Sequence, residues 1–207
     1  MTTTIKICGL TRPEDAAAAA ELGADLLGMV FAEASPRRLD LARAEAIARA
    51  SEGAKRVGVF KHEPLADVLA AVERARLSFV QLQRPVSEQD VRALPVPVIA
   101  AIRGGVDAAA LPAAVLPRLR AVLLDDSEGA GRRSGWASLA ERPGVPEEVD
   151  LFVAGGLDDS CVGDAIRRLR PDGVDVATGV EASLGVKDRG RMERFIAAVR
   201  KADREAR

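Results

Sequence analysis

The run Leu151-Phe-Val-Ala-Gly-Gly-Leu157 stops on Gly155-Gly156, and a second run, Gly173-Val-Asp-Val-Ala-Thr-Gly179, follows it. Each reads as a buried strand leaving through a loop whose backbone can approach a ligand. Glycine has no Cβ, so amide N–H groups there can point at phosphate oxygens with no side chain between. A Gly-Gly pair taken alone is more often a plain turn. Other reactive side chains also follow short apolar runs: Cys8 beside Gly9, Arg37 after Ser35-Pro36, Gln83, the pair Asp125-Asp126, and Asp175 ahead of Thr178-Gly179. A thiolate can take a proton and a carboxyl can give one. An arginine fork can hold a carboxylate. Taken alone, Cys8 reads as a small buried hydrophobe. Cys161, at the start of a helical stretch, keeps that reading. Asp125 and Asp126 are consecutive and point in different directions if their strand continues.

The elements that position these residues alternate along the chain. Strand-like apolar runs are expected at 5–8, 26–31, 56–60, 79–82, 98–102, 121–124, 151–154 and 174–177. Amphipathic stretches at 13–22, 41–50, 64–74, 87–93, 108–116, 160–169 and 189–201 lie between or after them. Strand–helix alternation implies βαβ units and a parallel sheet. Short apolar runs without polar alternation suit strands buried on both faces. Eight such units make a (β/α)₈ TIM barrel, one domain over residues 1–207. Its functional residues belong at the C-terminal ends of the strands, with phosphate held after strands seven and eight. The chain is short for that fold, so its connections must be compact. The fifth helix is in question, because Pro112 interrupts it and Pro117 ends it. The stretch 134–140 has room for about two turns of helix. An open doubly wound sheet would favour Gly-x-Gly-x-x-Gly after the first strand. Here the strand leads into Cys8-Gly9-Leu10-Thr11 instead.

Composition removes several classes of function. The 207 residues are 48% hydrophobic with net charge −1, so no basic field attracts nucleic acid. Five Phe, one Trp and no Tyr leave little aromatic surface for base stacking. No apolar run approaches the roughly 18 residues of a membrane span, and no signal-peptide layout opens the chain. Cys8 and Cys161 have no metal-ligand spacing and suit a reducing cytoplasm. A single histidine, His62, argues against a His-based metal site or a Ser-His-Asp triad. No metal or other cofactor is expected.

Nearly the whole chain resembles the phosphoribosylanthranilate isomerases, which act in tryptophan biosynthesis. The matching segments are Lys6-Ile-Cys-Gly-Leu-Thr11, Gly28-Met-Val-Phe31 with Ser35-Pro-Arg37, Val57-Gly-Val-Phe60, Val80-Gln-Leu82 and Leu123-Leu-Asp125. Ala154-Gly-Gly-Leu157, Gly173-Val-Asp-Val176, Gly179-Val-Glu181 and Gly185-Val-Lys-Asp188 continue the match. The resemblance implies an Amadori rearrangement of N-(5'-phosphoribosyl)anthranilate to a 1-deoxyribulose 5-phosphate. It implies Cys8 as base and Asp125 as acid, with Asp126 a solvated loop residue. Arg37 and Asp175 would contact the anthranilate carboxylate and the amino or sugar region, and Gln83 stands at a further substrate contact. Gly155, Gly156, Thr178 and Gly179 would hold the phosphate. Lys6, on the strand face of Cys8, is the candidate to favour its thiolate. Lys187 and Arg38 read as surface residues. The partner would be a small phosphorylated molecule, and the chain a monomer or homodimer.

Three departures from the family pattern stand out. Gln83-Arg84 replaces a His-Gly pair, Ser134-Gly135 precedes Trp136 where Phe-Asp is common, and Ala177-Thr178 replaces two serines. A related sugar-phosphate isomerase, or a protein that only binds a phosphorylated ligand, is the alternative that these departures leave.

Overall fold

Eight apolar runs become the strands of a closed parallel barrel, hydrogen-bonded in chain order. The computed structural model describes residues 2–102, 111, 114–125, 136 and 145–206. The strands are β1 (Thr4–Ile7), β2 (Leu26–Val30), β3 (Lys55–Phe60), β4 (Phe79–Leu82), β5 (Val98–Ile102), β6 (Leu119–Leu124), β7 (Asp150–Val153) and β8 (Gly173–Val176). Around them lie α1 (Pro13–Glu21), α2 (Leu41–Ala50), α3 (Leu65–Arg74), α4 (Glu88–Ala93), α5 (Val162–Leu169) and α6 (Arg189–Glu205). Most of the expected segments 108–116 and 134–140, and with them Asp126, fall outside the described residues. A 3₁₀ turn at Leu116–Arg118 leads into β6. No helix among the described residues is long and apolar enough to cross a membrane.

Local signals start the helices. Pro13 opens α1, where its missing N–H costs nothing, and Glu14 and Asp15 face the positive end of the helix dipole. Asp40 caps α2, and Ser87 and Asp90 form a reciprocal capping box on α4. Asp188 accepts from the Arg191 N–H at 2.8 Å to start α6. That helix packs back on the chain's beginning: Asp203 takes the Thr3 hydroxyl at 2.5 Å, and Arg200 donates to the Thr3 carbonyl at 2.6 Å.

The two-residue strand period sorts side chains into two cores. Ile5 and Ile7 point outward and join the layer between strands and helices. Leu26, Val57, Ile99, Leu123 and Phe152 fill the middle of the barrel. Cys8, Val30 and Val59 form a layer nearer the C-terminal ends of the strands. Lys6 also lies inside, with no exposed surface, opposite its register partner Asp175 on β8. A buried ammonium must be paired, and this one meets Asp175 Oδ2 at 2.9 Å. The contact sits on the β1–β8 seam where the barrel closes.

One element has no counterpart in the sequence reading. After a 3₁₀ turn at Thr178–Val180, the chain makes an antiparallel hairpin of β9 (Glu181–Ser183) and β10 (Val186–Lys187). It leaves Glu181 and Lys187 buried.

Candidate active site

The strand ends converge on one cavity of about 820 Å³, within the range of small-molecule sites. Cys8, Arg37, Gln83, Asp125 and Asp175 all line it. So do Gly155, Gly156, Thr178 and Gly179. These nine residues therefore face the same space.

Cys8 stands just past β1, its N–H bonded to the Val176 carbonyl at 2.8 Å. Its closeness to β2 depends on Gly28. A Cβ added there would lie 2.7 Å from Cys8 Sγ and 2.8 Å from Cys8 Cα. Burial pushes the Cys8 thiol above its ordinary value, and the Lys6 ammonium pulls against that rise. Burial disfavours the Lys6 charge too, but Asp175 and Cys8 outweigh it and hold the ammonium well above its usual range. Lys6 therefore stays charged beside the thiol. Asp175 gives one oxygen to Lys6, while its Oδ1 is buried with no hydrogen-bond partner. Gln81, one turn of the strand period before Gln83, leaves its Oε1 in the same condition and also lines the cavity. Buried polar atoms are nearly always satisfied, and both acceptors belong to residues that line the cavity, where a donor could reach them.

Asp125 follows β6, half-buried, with its N–H on the Ile102 carbonyl at 3.0 Å. Gln83 follows β4, half-buried, its N–H on the Phe60 carbonyl at 2.8 Å. The neighbouring Arg84 turns to α4 and grips Asp90 with both nitrogens of its fork, at 2.6 and 2.8 Å. This arginine fixes the loop that carries Gln83.

Gly155 and Gly156 have φ of 88° and 65°, a left-handed region that favours glycine. The Trp136 indole N–H donates to the Gly155 carbonyl at 2.8 Å and so holds this loop from behind. Gly179 packs so tightly on the Leu157 carbonyl that no Cβ would fit. The loops after β7 and β8 are thus pressed together. Among the described residues, the N–H groups of Gly156, Thr178 and Gly179 find no acceptor.

Arg37 does not lie on the surface. Its guanidinium is buried and paired with Glu181 through Nε and Nη2, both at 2.7 Å. Lys187 corrects the sequence reading outright. Expected at the surface, it is buried on β10 and donates to Glu181 Oε1 at 3.1 Å and to the Ala177 carbonyl at 3.0 Å. Glu181 lies in the matching segment Gly179-Val-Glu181, whose resemblance implies no role for it. The only signal in the sequence was a charged pair flanking Gly185, within strands too short to show a period. Gly28 was likewise legible only as a glycine inside a strand, which marks close backbone approach. Cys161 is buried where α5 begins, as expected.

Residues 5–198 match the family model described as N-(5'phosphoribosyl)anthranilate (PRA) isomerase. The N-(5'-phosphoribosyl)anthranilate isomerase of Halorhodospira halophila is 40% identical over 98% of this chain and 99% of its own. The crystal structure of the phosphoribosyl anthranilate isomerase of Thermus thermophilus superposes with a TM-score of 0.81 at 33% identity, over 95% of this chain and 98% of that one. A phosphoribosyl anthranilate isomerase crystallised with reduced 1-(o-carboxyphenylamino)-1-deoxyribulose 5-phosphate gives a TM-score of 0.77 at 31% identity, over 97% of this chain and 100% of that one. Fold and likeness along nearly the whole chain agree, and the chain belongs to the N-(5'-phosphoribosyl)anthranilate isomerase family.

Proposed function

We propose that this chain isomerises N-(5'-phosphoribosyl)anthranilate to 1-(2-carboxyphenylamino)-1-deoxyribulose 5-phosphate, with Cys8 as the base and Asp125 as the acid. The observation that carries the reading is the sharing of one cavity by this thiol, this carboxyl and the paired glycine loops. The reaction moves protons only. Asp125 gives a proton to the ribose ring oxygen as the C1–O bond breaks, which opens the ring to a protonated Schiff base. Cys8 thiolate then removes the proton on C2, and the electron pair left behind forms an enolamine. Protonation at C1 and loss of the enol proton give the ketone. Acid and base each contribute about 10²–10⁴-fold in such a scheme.

The phosphate goes to the backbone N–H groups of Gly156, Thr178 and Gly179. The anthranilate carboxylate goes to the edge of Arg37 that Glu181 leaves open. The orphan oxygens of Asp175 and Gln81 accept from the sugar hydroxyls or the anilino N–H. Gln83 offers an amide donor and acceptor but no titrating charge, which suffices where acid and base stand elsewhere. In this proposal residues 1–207 work as one domain. The two free cysteines, Cys8 and Cys161, suit a cytoplasmic setting.

The test is turnover of N-(5'-phosphoribosyl)anthranilate by the purified chain, with growth of a tryptophan auxotroph that lacks the isomerase. The chain should support both. Cys8→Ala and Asp125→Asn should each lower kcat by at least about 10² while leaving phosphate competition intact. A chain that binds phosphate but never turns substrate over is a binding protein, and the proposal fails.

A further inference from the structure

Arg37 reaches the cavity by a path that the rest of the chain has cleared. Its side chain crosses Gly9, where a Cβ would meet Arg37 Cδ at 2.5 Å. Glu181 then takes Nε and Nη2 side-on. A guanidinium has five N–H donors in a fixed fork, so the remaining edge keeps its donors. Arg37 lines the cavity, whereas Glu181 and Lys187 are not among the residues that do. They stand behind it.

The charges behind Arg37 do not balance. Glu181 serves two cations, Arg37 on one side and Lys187 at 3.1 Å on the other. Among the described residues, neither cation has a second carboxylate within ion-pair distance. With both protonated, the buried trio carries one positive charge in excess. Buried charge needs a counter-charge or a strong hydrogen-bond partner. While Cys8 is a neutral thiol, the side of Arg37 that faces the cavity is the open place for an anion; an ionised Cys8 also favours both cations. The burial of Lys187 and its like-charged neighbour Arg37 both push its ammonium down. An added carboxylate relieves that pressure.

We propose that Glu181 and Lys187 are positioning residues that orient Arg37 and supply its excess positive charge, so that the site selects substrates bearing a carboxylate on the aromatic amine. This rests on the isomerase reading above and adds the device by which the aromatic half is chosen. Glu181 fixes the fork, because a bidentate pair holds both distance and plane. Lys187 keeps Glu181 from cancelling the charge of Arg37.

The experiment compares two substrates that share the phosphoribosyl group: N-(5'-phosphoribosyl)anthranilate and N-(5'-phosphoribosyl)aniline, which lacks the carboxylate. Wild type, Glu181→Gln and Lys187→Met are assayed on both, with inorganic phosphate as a competitor. In each variant the ratio of kcat/KM for the anthranilate to that for the aniline should fall about tenfold, or 1.4 kcal/mol. The loss should lie in KM for the anthranilate. Both substrates are compared on the high-pH plateau of kcat/KM, because Lys187 also pulls the Cys8 thiol down. There, aniline turnover and the phosphate inhibition constant should change by less than about threefold, which also shows that the variants are folded. Equal losses on both substrates would overturn the inference and make the trio structural. A rise in the phosphate inhibition constant with equal losses would overturn it too, and assign the charge to the phosphate. If only one variant yields folded protein, an unchanged ratio in that one is enough to reject it. A wild type that turns over neither substrate overturns the isomerase reading, and this one with it.

Discussion

Replacing Gly28 by alanine tests how closely the first two strands must approach for the base to work. The added Cβ would stand 2.7 Å from Cys8 Sγ and 2.8 Å from Cys8 Cα. Ordinary contacts of this kind sit near about 3.5–4.0 Å. Rotating the thiol relieves the first clash but not the second, because Cα is backbone. β1 and β2 must therefore part by about 1 Å, or Cys8 must leave its place. Overpacking of this kind costs about 1–3 kcal/mol. For a chain of this size each kcal/mol lowers Tm by about 2–4 °C. A 1 Å misplacement near the chemistry costs about 10²-fold in rate, or about 2.7 kcal/mol of barrier. Gly173→Ala is the matched control. Its Cβ would meet the Phe152 ring at 2.6–2.8 Å, also inside the barrel but in the apolar middle. Thermal melts followed by circular dichroism and initial rates followed by the anthranilate chromophore measure both variants. Both should lose similar Tm, and only Gly28→Ala should lose about 10² in kcat. Equal rate losses, or a Gly28→Ala enzyme with normal kcat, would refute the reasoning that places the chemistry on Cys8.

Other perturbations read other parts of the site. Lys6→Met removes the cation that opposes the rise of the Cys8 thiol, so the thiolate should form only at higher pH. The rising limb of kcat/KM against pH should move to the alkaline side and the plateau should fall; an unmoved limb would separate Lys6 from the base. Gly156→Val puts a β-branched residue at φ 65°, in a region such residues rarely enter. KM and the phosphate inhibition constant should rise together, and an unchanged phosphate constant would move the anion elsewhere. Gln83→Leu should raise KM more than it lowers kcat, and Gln83→His should change kcat/KM by less than about tenfold. Activity that appears only with histidine would mean that the natural chain is not an isomerase.

The barrel was largely legible because its strands are short apolar runs set at the βα period, and such runs have few other ways to be buried. Boundaries drifted by a residue or two, as at β6, which begins at Leu119 rather than Ala121. Strand ends are where function collects in this fold, so Cys8, Asp125 and Asp175 could be picked out by position alone. Their partners could not. Glu181 and Lys187 lie on strands of three and two residues, too short for alternation to reveal an inward face. Their burial depends on Arg37, 144 residues away from Glu181 in sequence. Gln81 looked like one polar residue in an apolar strand, and only its place inside the barrel gives its oxygen a meaning.

The Lys6–Asp175 contact joins residues 169 apart in the chain. Cys8 hangs on the same seam through the carbonyl of Val176. Contacts between such distant segments carry a large loop-closure cost and tend to form slowly. In a growing polypeptide the thiol is among the first functional groups made, yet it acquires its setting only when the eighth strand docks. Isomerisation then reports the joining of the two chain ends, not an earlier collapse of the strands between them. A ligand that spans the seam contributes RT ln(1 + [L]/Kd) to keeping it shut. Substrate or product should therefore protect the β1 and β8 amides from hydrogen exchange more than those of β3 and β4, and the enzyme at work should be hardest to open at the place where it closed last.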